Sequence, residues 1–170
     1  MDPITRRGMA AALVAGGSLA VQRAIAAPSM LGYADMRKDA DAACVYHCDY
    51  GDPNRFGQTL TNIGNHMGSV GYDPLALQLV LVAHAGGIKF FLDSLAGTPW
   101  ATEKLDPDLL KRMTSLAVYG VQVYLCNTTF ENNHLTPDRA HDAKWIHMVP
   151  SGVATVAALQ GKGFAYMKIG

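Results

Sequence analysis

Reactive side chains follow three strand-like segments of this sequence. The apolar segments lie at 43–48, 75–83 and 121–126. Functional groups in open parallel sheets gather at the carboxyl ends of strands, so side chains at these ends are predicted to share one site. The side chains that close the three segments or directly follow them are Cys48, Asp49, His84, Cys126 and Asn127.

Cys126 is the strongest candidate for a reactive group. It ends one apolar segment and precedes the polar turn 127–129. Free backbone N–H groups in such a turn, or at the start of a following helix, would stabilise a thiolate. A thiolate can attack a sulfur donor and hold the transferred sulfur as a persulfide. The alternative is a buried cysteine that packs as a small hydrophobic residue.

The other two cysteines lie in the first segment. Cys44 and Cys48 share one face of a strand and are about 13 Å apart, which is too far for a disulfide between them. Cys48 is predicted to line a pocket with Asp49. Because neighbouring strands are about 4.8 Å apart, a disulfide from Cys48 to Cys126 is a further expectation, with core packing as the alternative for Cys44.

Histidines offer a second kind of chemistry. His84 follows the second segment directly, and three roles are open for it: a general acid, a metal ligand or a hydrogen-bonded structural residue. His47 and His66 have weaker positions, and His66 is expected at the surface or at an interface. A looser group of three further histidines would, together with Cys126, suit zinc or copper, but it lacks the spacing of a dedicated metal-binding motif. That group is His134, His141 and His147. The sequence therefore predicts no cofactor, with a metal ion as the open alternative.

Composition and absent motifs exclude several function classes. The chain has 170 residues, 49% of them hydrophobic, with 14 basic and 14 acidic side chains. This length suits one domain with a sizeable core, and the charge balance provides no basic surface for nucleic acid. The sequence contains no phosphate-binding GxGxxG or GxxxxGK[ST] loop, no GxSxG nucleophile turn and no CxxC pair.

Residues 1–27 have the pattern of an export signal. Arg6 and Arg7 precede a weakly apolar run at 9–21 and the small residues 24–27, in the manner of a twin-arginine signal. As a helix that run is about 20 Å long, which is too short to span a bilayer comfortably. We therefore expect a periplasmic protein with no membrane span after cleavage, and a flexible lead-in at 28–42.

The remaining sequence alternates strands with helices. Asp followed by Pro, a signal for a capped helix start, occurs at 52–53 and 106–107. Another helix is predicted to begin at 151–152, and a last strand is predicted at 164–169. This alternation predicts a single α/β domain over 43–170, a three-layer α/β/α sandwich with a mostly parallel sheet of about five strands.

The order of these segments carries a family resemblance. The matching pieces, in chain order, are 45–47, 52–56 with Asn62 and Asn65, 80–88, 120–123, 126–129, 149–153, 159–160 and 163–166. Over about 125 residues this order resembles the DsrE/DsrF-like family, whose fold is also called YchN-like. The resemblance implies an α/β/α sandwich that assembles as a homo-oligomer, a trimer or a hexamer. Some members carry a cysteine that accepts sulfur and passes it on within a relay.

Cys126 matches the cysteine after the third strand in the DsrF-like branch of small members. It does not match the sulfur-accepting cysteine of the best-known relay subunits, and the export signal also departs from those proteins. The resemblance implies a sulfur carrier more than a turnover enzyme. Cys126 would be its acceptor, supported by His84 and Asn127, with Cys48 resolving or protecting it and a donor or acceptor protein as partner. The alternative is a non-catalytic periplasmic protein that binds a small ligand or a metal.

Overall fold

A single parallel sheet organises the chain. The computed structural model describes residues 27–170, so the predicted export signal, apart from its last residue, lies outside the described residues. The sheet has the strand order β4-β3-β2-β1-β5, and every pairing within it is parallel. Its strands are β1 (Ala42–Cys48), β2 (Leu77–Ala83), β3 (Gln122–Cys126), β4 (Ile146–Val149) and β5 (Ala165–Met167).

Four α-helices and two 3-10 helices connect the strands. The α-helices are α1 (Pro53–Gly68), α2 (Pro107–Ala117), α3 (Asn127–Asn132) and α4 (Gly152–Gly161), and the 3-10 helices span Ala85–Phe91 and Pro137–Arg139. The Asp-Pro signals act as predicted. Asp52 accepts a hydrogen bond from the Asn54 amide at 2.8 Å, and Asp106 accepts one from the Asp108 amide at 2.9 Å. Each aspartate thereby satisfies an amide that the first helical turn leaves free.

The sheet separates two hydrophobic cores. Helices α1 and α2 cover one face, where Phe56, Leu60 and Met113 are buried; we call this the α1 face. Helix α4 covers the other, the α4 face, through Val156 and Leu159. Successive strand residues point to opposite faces, so each strand contributes to both cores. The predicted α/β domain with helices on both sides of a mostly parallel sheet is confirmed.

The segment at 28–42, predicted as a flexible lead-in, contacts the sheet and one of the two cores. Met30 forms a parallel bridge with Met148 of β4, and the Leu31 amide donates to the Met148 carbonyl at 2.8 Å. Met36 is 1% exposed and belongs to the core under α4. Apolar side chains spaced among the charges hold this segment against the sheet, because their burial outweighs the polarity of the rest. Within 27–170, no helix combines the length and apolar character that crossing a membrane requires.

Candidate functional site

Strand order decides which of the predicted residues become neighbours. Strand β2 lies between β1 and β3, and Ala83 pairs with both Cys48 and Leu125. These three paired side chains belong to the core on the α1 face. The next residue on each chain therefore points to the α4 face. Those residues are Asp49, His84 and Cys126, so three of the five predicted site residues come together at one end of the sheet.

His47 joins this group from β1. Its Nε2 lies 2.6 Å from the Nε2 of His84, so one ring must donate a hydrogen bond to the other. The Nδ1 of His47 is 2.8 Å from the hydroxyl of Tyr166 on β5. These two contacts fix both edges of the His47 ring. The sheet therefore presents two imidazoles, from neighbouring strands, whose nitrogens converge on one point.

Asp49 supplies a carboxylate at the same place. Its Oδ2 accepts a hydrogen bond from Lys168 Nζ at 2.7 Å. Lys168 lies just after β5, and the following carbonyl, that of Ile169, is held by Arg55 Nε at 2.5 Å. Helix α1 thereby fixes the end of the chain against the site. The ligand atoms of His47, Asp49 and His84 all lie within 4.8 Å of one another.

Burial and charge set the protonation of these groups. Burial lowers the pKa of both His47 and His84; the Asp49 carboxylate opposes this shift, while Lys168 reinforces it. Burial alone would raise the pKa of Asp49, but the hydrogen bond from Lys168 and the nearby positive charges outweigh it, so the pKa of this carboxyl is lowered. At neutral pH the site therefore holds two uncharged imidazoles beside an ionised carboxylate.

The backbone after β2 fixes the position of His84. The His84 amide donates to the Cys48 carbonyl at 3.0 Å, continuing the ladder between β1 and β2. Ala85 then takes φ +48°, a left-handed conformation uncommon for a residue with a side chain. The Ala85 amide donates to Thr129 Oγ1 of α3 at 3.1 Å. Such local strain persists where surrounding contacts hold it, as it does beside this site.

The first turn of α4 packs directly on His84. A Cβ added to Gly152 would lie 2.9 Å from the Cβ of His84 and 3.0 Å from its Cδ2, so the absence of a side chain lets the helix rest on the histidine. Thr155, one turn further along the buried side of α4, is fully buried. Its hydroxyl is the one buried side-chain polar atom between residues 27 and 170 that lacks a hydrogen-bond partner.

Cys126 ends β3, and because Leu125 pairs with Ala83, it lies one strand across from His84. Its residue is 5% exposed, and it directly precedes the first residue of α3. The hydroxyl of Thr128 donates to the Pro150 carbonyl at 2.9 Å, which ties the start of α3 to the connection between β4 and α4. Asn127 donates through Nδ2 to Glu131 Oε1 at 2.8 Å, so its amide is engaged along its own helix. The structure thus places His84 and Cys126 at neighbouring strand ends and engages the amide of Asn127 elsewhere.

The expected roles of Cys48 in a pocket and in a disulfide are wrong. Cys48 is fully buried on the α1 face, whereas Cys126 points to the α4 face two strands away. All three cysteines are free. Burial raises the pKa of Cys44 to about 11 and that of Cys48 to about 12, so both remain protonated thiols that pack in the core.

Comparison with known proteins identifies the fold family. The model of the DsrE/DsrF-like family matches residues 42–169. This chain belongs to that family. No curated protein matches it. Among solved structures, a protein of unknown function from Methanobacterium thermoautotrophicum is similar, with a TM-score of 0.59 and 22% sequence identity. The match covers 75% of this chain and 99% of that one, and at this identity it shows the fold alone.

Three of the remaining histidines of this DsrE/DsrF-like protein have separate partners. His66 is 3.1 Å from the Tyr46 hydroxyl. His141 pairs with Asp93 at 2.8 Å, while His147 contacts Ser29 and Gln122. The loose cluster of His134, His141 and His147 with Cys126 is therefore wrong as a metal site: in the described part of the chain, the one such group is that of His47, Asp49 and His84.

The sequence favours His84 over His47, yet alternation along β1 points His47 to the same face as Asp49. Two further residues of the site have no signal in the sequence. Tyr166 and Lys168 come from the far end of the chain, and no local pattern marks them. Two surface cavities lie elsewhere, one of 130 Å³ near Leu105 and Leu109 and one of 360 Å³ between α1 and α2, and neither is lined by a strand-end residue.

Substituting Gly152 should disturb the site from the helix side. In Gly152→Ala the new methyl group would meet His84 at about 3 Å, so the ring or the first turn of α4 must shift. We expect a loss of about 1–3 kcal/mol in the free energy of unfolding, measured by urea denaturation. Chemical shifts of the His47 and His84 ring protons in NMR spectra should move as well. Unchanged histidine shifts would contradict the close packing of α4 on His84.

Proposed function

We propose that this protein is a periplasmic sulfur carrier that accepts sulfur on Cys126. Membership of the DsrE/DsrF-like family indicates sulfur-relay chemistry at the level of the family. The supporting observation within this chain is the placement of its thiols. Cys44 and Cys48 are buried on the α1 face with raised pKa values, whereas strand alternation directs Cys126 to the α4 face, one strand across from His84. One cysteine therefore lies at a strand end whose neighbouring strand ends in a histidine.

The proposed step is a transfer of sulfane sulfur from a donor persulfide. The Cys126 thiolate attacks the outer sulfur of the donor, the donor S–S bond breaks, and the donor leaves as a thiolate. A new S–S bond forms on Cys126, which becomes a persulfide. The oxidation states balance without any other reagent, because one persulfide replaces another. His84, when neutral, accepts the thiol proton of Cys126 as the thiolate forms.

Access to Cys126 sets the size of the donor. At 5% exposure the residue presents a small area, and the connection at 150–152 stays close because of the Thr128 hydrogen bond to Pro150. A donor must therefore present a slender terminal sulfur, as a persulfide at the end of a flexible segment does. We expect a small methanethiolating reagent to modify Cys126 at least about tenfold faster than a bulky maleimide under native conditions.

Intact-mass analysis after incubation with a small persulfide donor tests this proposal. The native protein should gain about 32 Da, the mass of one sulfur, and lose it again on reduction. Cys126→Ser should gain nothing. Cys44→Ala is the matched control, because it removes a free cysteine from the opposite face and should retain the full mass gain. A carrier role fails if the folded native protein gains no sulfur, or if the added sulfur maps to Cys44 or Cys48.

The setting of the proposed relay includes partners and a compartment. We propose that the chain is exported by the twin-arginine route, assembles as a homo-oligomer and exchanges sulfur with a donor or acceptor protein. Fractionation of the native host, followed by intact-mass analysis of the protein from the periplasmic fraction, tests export and cleavage near residue 27 together. Sedimentation of the same material reports the number of subunits. Recovery of uncleaved chain from the cytoplasm alone would contradict the proposed location.

A further inference from the structure

We propose that His47, His84 and Asp49 form a binding site for a divalent transition-metal ion, of which Zn²⁺ is the representative. This inference goes beyond sulfur transfer, because none of the three ligands is a cysteine. The three side chains come from two neighbouring strands and converge within 4.8 Å. Two imidazoles and one carboxylate are a donor set that proteins use for zinc when one position is left open for water or substrate.

The spacing of the donors suits such an ion. Zinc binds histidine nitrogen at about 2.0–2.1 Å, so two nitrogens in a tetrahedral site are roughly 3.3 Å apart. The two Nε2 atoms lie 2.6 Å apart as a hydrogen-bonded pair. The two nitrogens must therefore move apart by less than about 1 Å to admit the ion. Small rotations of the two rings provide this movement. Both rings already direct Nε2 to the same point.

The surroundings of His47 are those of a metal ligand. A histidine that binds metal through one nitrogen usually donates a hydrogen bond through the other, which fixes the ring. Here the Tyr166 hydroxyl lies 2.8 Å from His47 Nδ1 and can accept that hydrogen bond. Tyr166 is a positioning residue in this arrangement and touches no ion itself. Packing of Gly152 against His84 holds the second ring in a comparable way.

Lys168 controls the third ligand. Its ammonium group donates a hydrogen bond to Oδ2 of Asp49 at 2.7 Å and forms an ion pair with it. A divalent ion must share the carboxylate with this group and also meets its positive charge. Lys168 therefore weakens metal binding, and its removal should strengthen it. This sign separates a metal site from a purely structural cluster, because loss of Lys168 from a structural cluster would leave the affinity for an ion unchanged.

Titration of the full chain with Zn²⁺ against a chromophoric chelator tests the site. The native protein should bind one ion per chain. Loss of a ligand in His47→Ala or in Asp49→Asn should weaken binding more than about 100-fold, and Tyr166→Phe should weaken it about tenfold. Lys168→Gln should strengthen it about threefold, the scale of a part-exposed ion pair.

A second histidine–aspartate pair in the same chain provides the matched control. His141 and Asp93 are 2.8 Å apart and part-exposed, but no residue among 27–170 joins them as a third ligand. His141→Ala and Asp93→Asn should each leave zinc affinity unchanged. Circular dichroism of every variant confirms that the fold is kept. If His47→Ala is unfolded, the folded Asp49→Asn and Lys168→Gln variants still decide, because their affinities should move in opposite directions.

Cobalt substitution separates this site from the proposed sulfur acceptor. Co²⁺ bound by nitrogen and oxygen ligands gives visible d–d bands without a thiolate charge-transfer band, and Cys126→Ser should leave the spectrum and the affinity unaltered. A metal that binds equally well to His47→Ala, a thiolate band in the native spectrum, or no binding by the folded native protein would each overturn the inference. Failure of sulfur transfer to Cys126 would leave the metal result standing, since the two experiments probe different residues.

Discussion

Gly87→Ala is expected to lower the free energy of unfolding by about 3 kcal/mol or more, a large part of the stability of a single domain. A Cβ on Gly87 would lie 2.2 Å from the Cys48 carbonyl oxygen and 2.9 Å from the Cys48 sulfur. The oxygen belongs to the backbone of a central strand, so it has no rotamer by which to move away. Gly87 is buried, and the strand or the following 3-10 helix must shift instead. Urea denaturation followed by circular dichroism measures the loss.

Gly161→Ala is the control for that substitution. Gly161 is the last residue of α4, and a Cβ there meets no atom within 4 Å. Alanine loses less conformational entropy than glycine in a helix, so this variant should be unchanged or more stable by up to about 1 kcal/mol. If Gly87→Ala cost less than about 1 kcal/mol, the close approach between the chain after β2 and the end of β1 would be wrong, and with it the placement of His84.

The same close approach explains how the site is held. A Cβ on Gly86 would lie 2.8 Å from the Gly51 amide nitrogen, so two successive glycines let the chain after His84 cross directly over the end of β1. Ala85 accepts a left-handed conformation at this crossing. His84 therefore follows a strand, and close backbone packing restrains the residues directly after it. A ring fixed in this way is preorganised for either role proposed for it, proton acceptor or metal ligand.

Strands and helices were predictable where one local signal dominates. The aliphatic run at 75–83 and the two Asp-Pro starts are such signals, because burial on both sides and helix capping act over a few neighbouring residues. Strand β4 gave no comparable signal, since it has four residues and includes the polar His147. The charges of the segment at 28–42 favour a flexible lead-in, and the contacts of Met36 with the core and of Met30 with β4 have no local signal in the sequence.

The location of the site was predictable from the sequence, but the residues that form it were not. Parallel strands place their carboxyl ends together, which is why Asp49, His84 and Cys126 were expected at one place. Which of them touch depends on strand order, and that order follows from the packing of the whole chain. With β2 in the centre, His84 becomes the link between Asp49 and Cys126, while Cys48 turns into the other core. The contributions of Tyr166 and Lys168, each 119 residues from its partner in the site, depend on that order too.

Glu103→Gln should destabilise the protein more than Lys89→Met, although the two residues form one ion pair. The side chain of Lys89 is 4% exposed, whereas that of Glu103 is 39% exposed. Removing the carboxylate leaves a buried ammonium group without its ionic partner, at a cost of about 2–3 kcal/mol. Removing the ammonium leaves a carboxylate that water can solvate, and methionine keeps much of the apolar contact of the lysine stem, so the cost should stay below about 1 kcal/mol.

The double variant completes this test, because the two substitutions share a single interaction. Once Lys89 is methionine, the further change Glu103→Gln should lower the free energy of unfolding by less than about 0.5 kcal/mol, since no buried charge remains that could lose its partner. Urea denaturation of the four proteins gives the full cycle. Equal losses in the two single variants would mean that water reaches the ammonium group. That result would contradict the burial of Lys89 near Gly51 and Phe90.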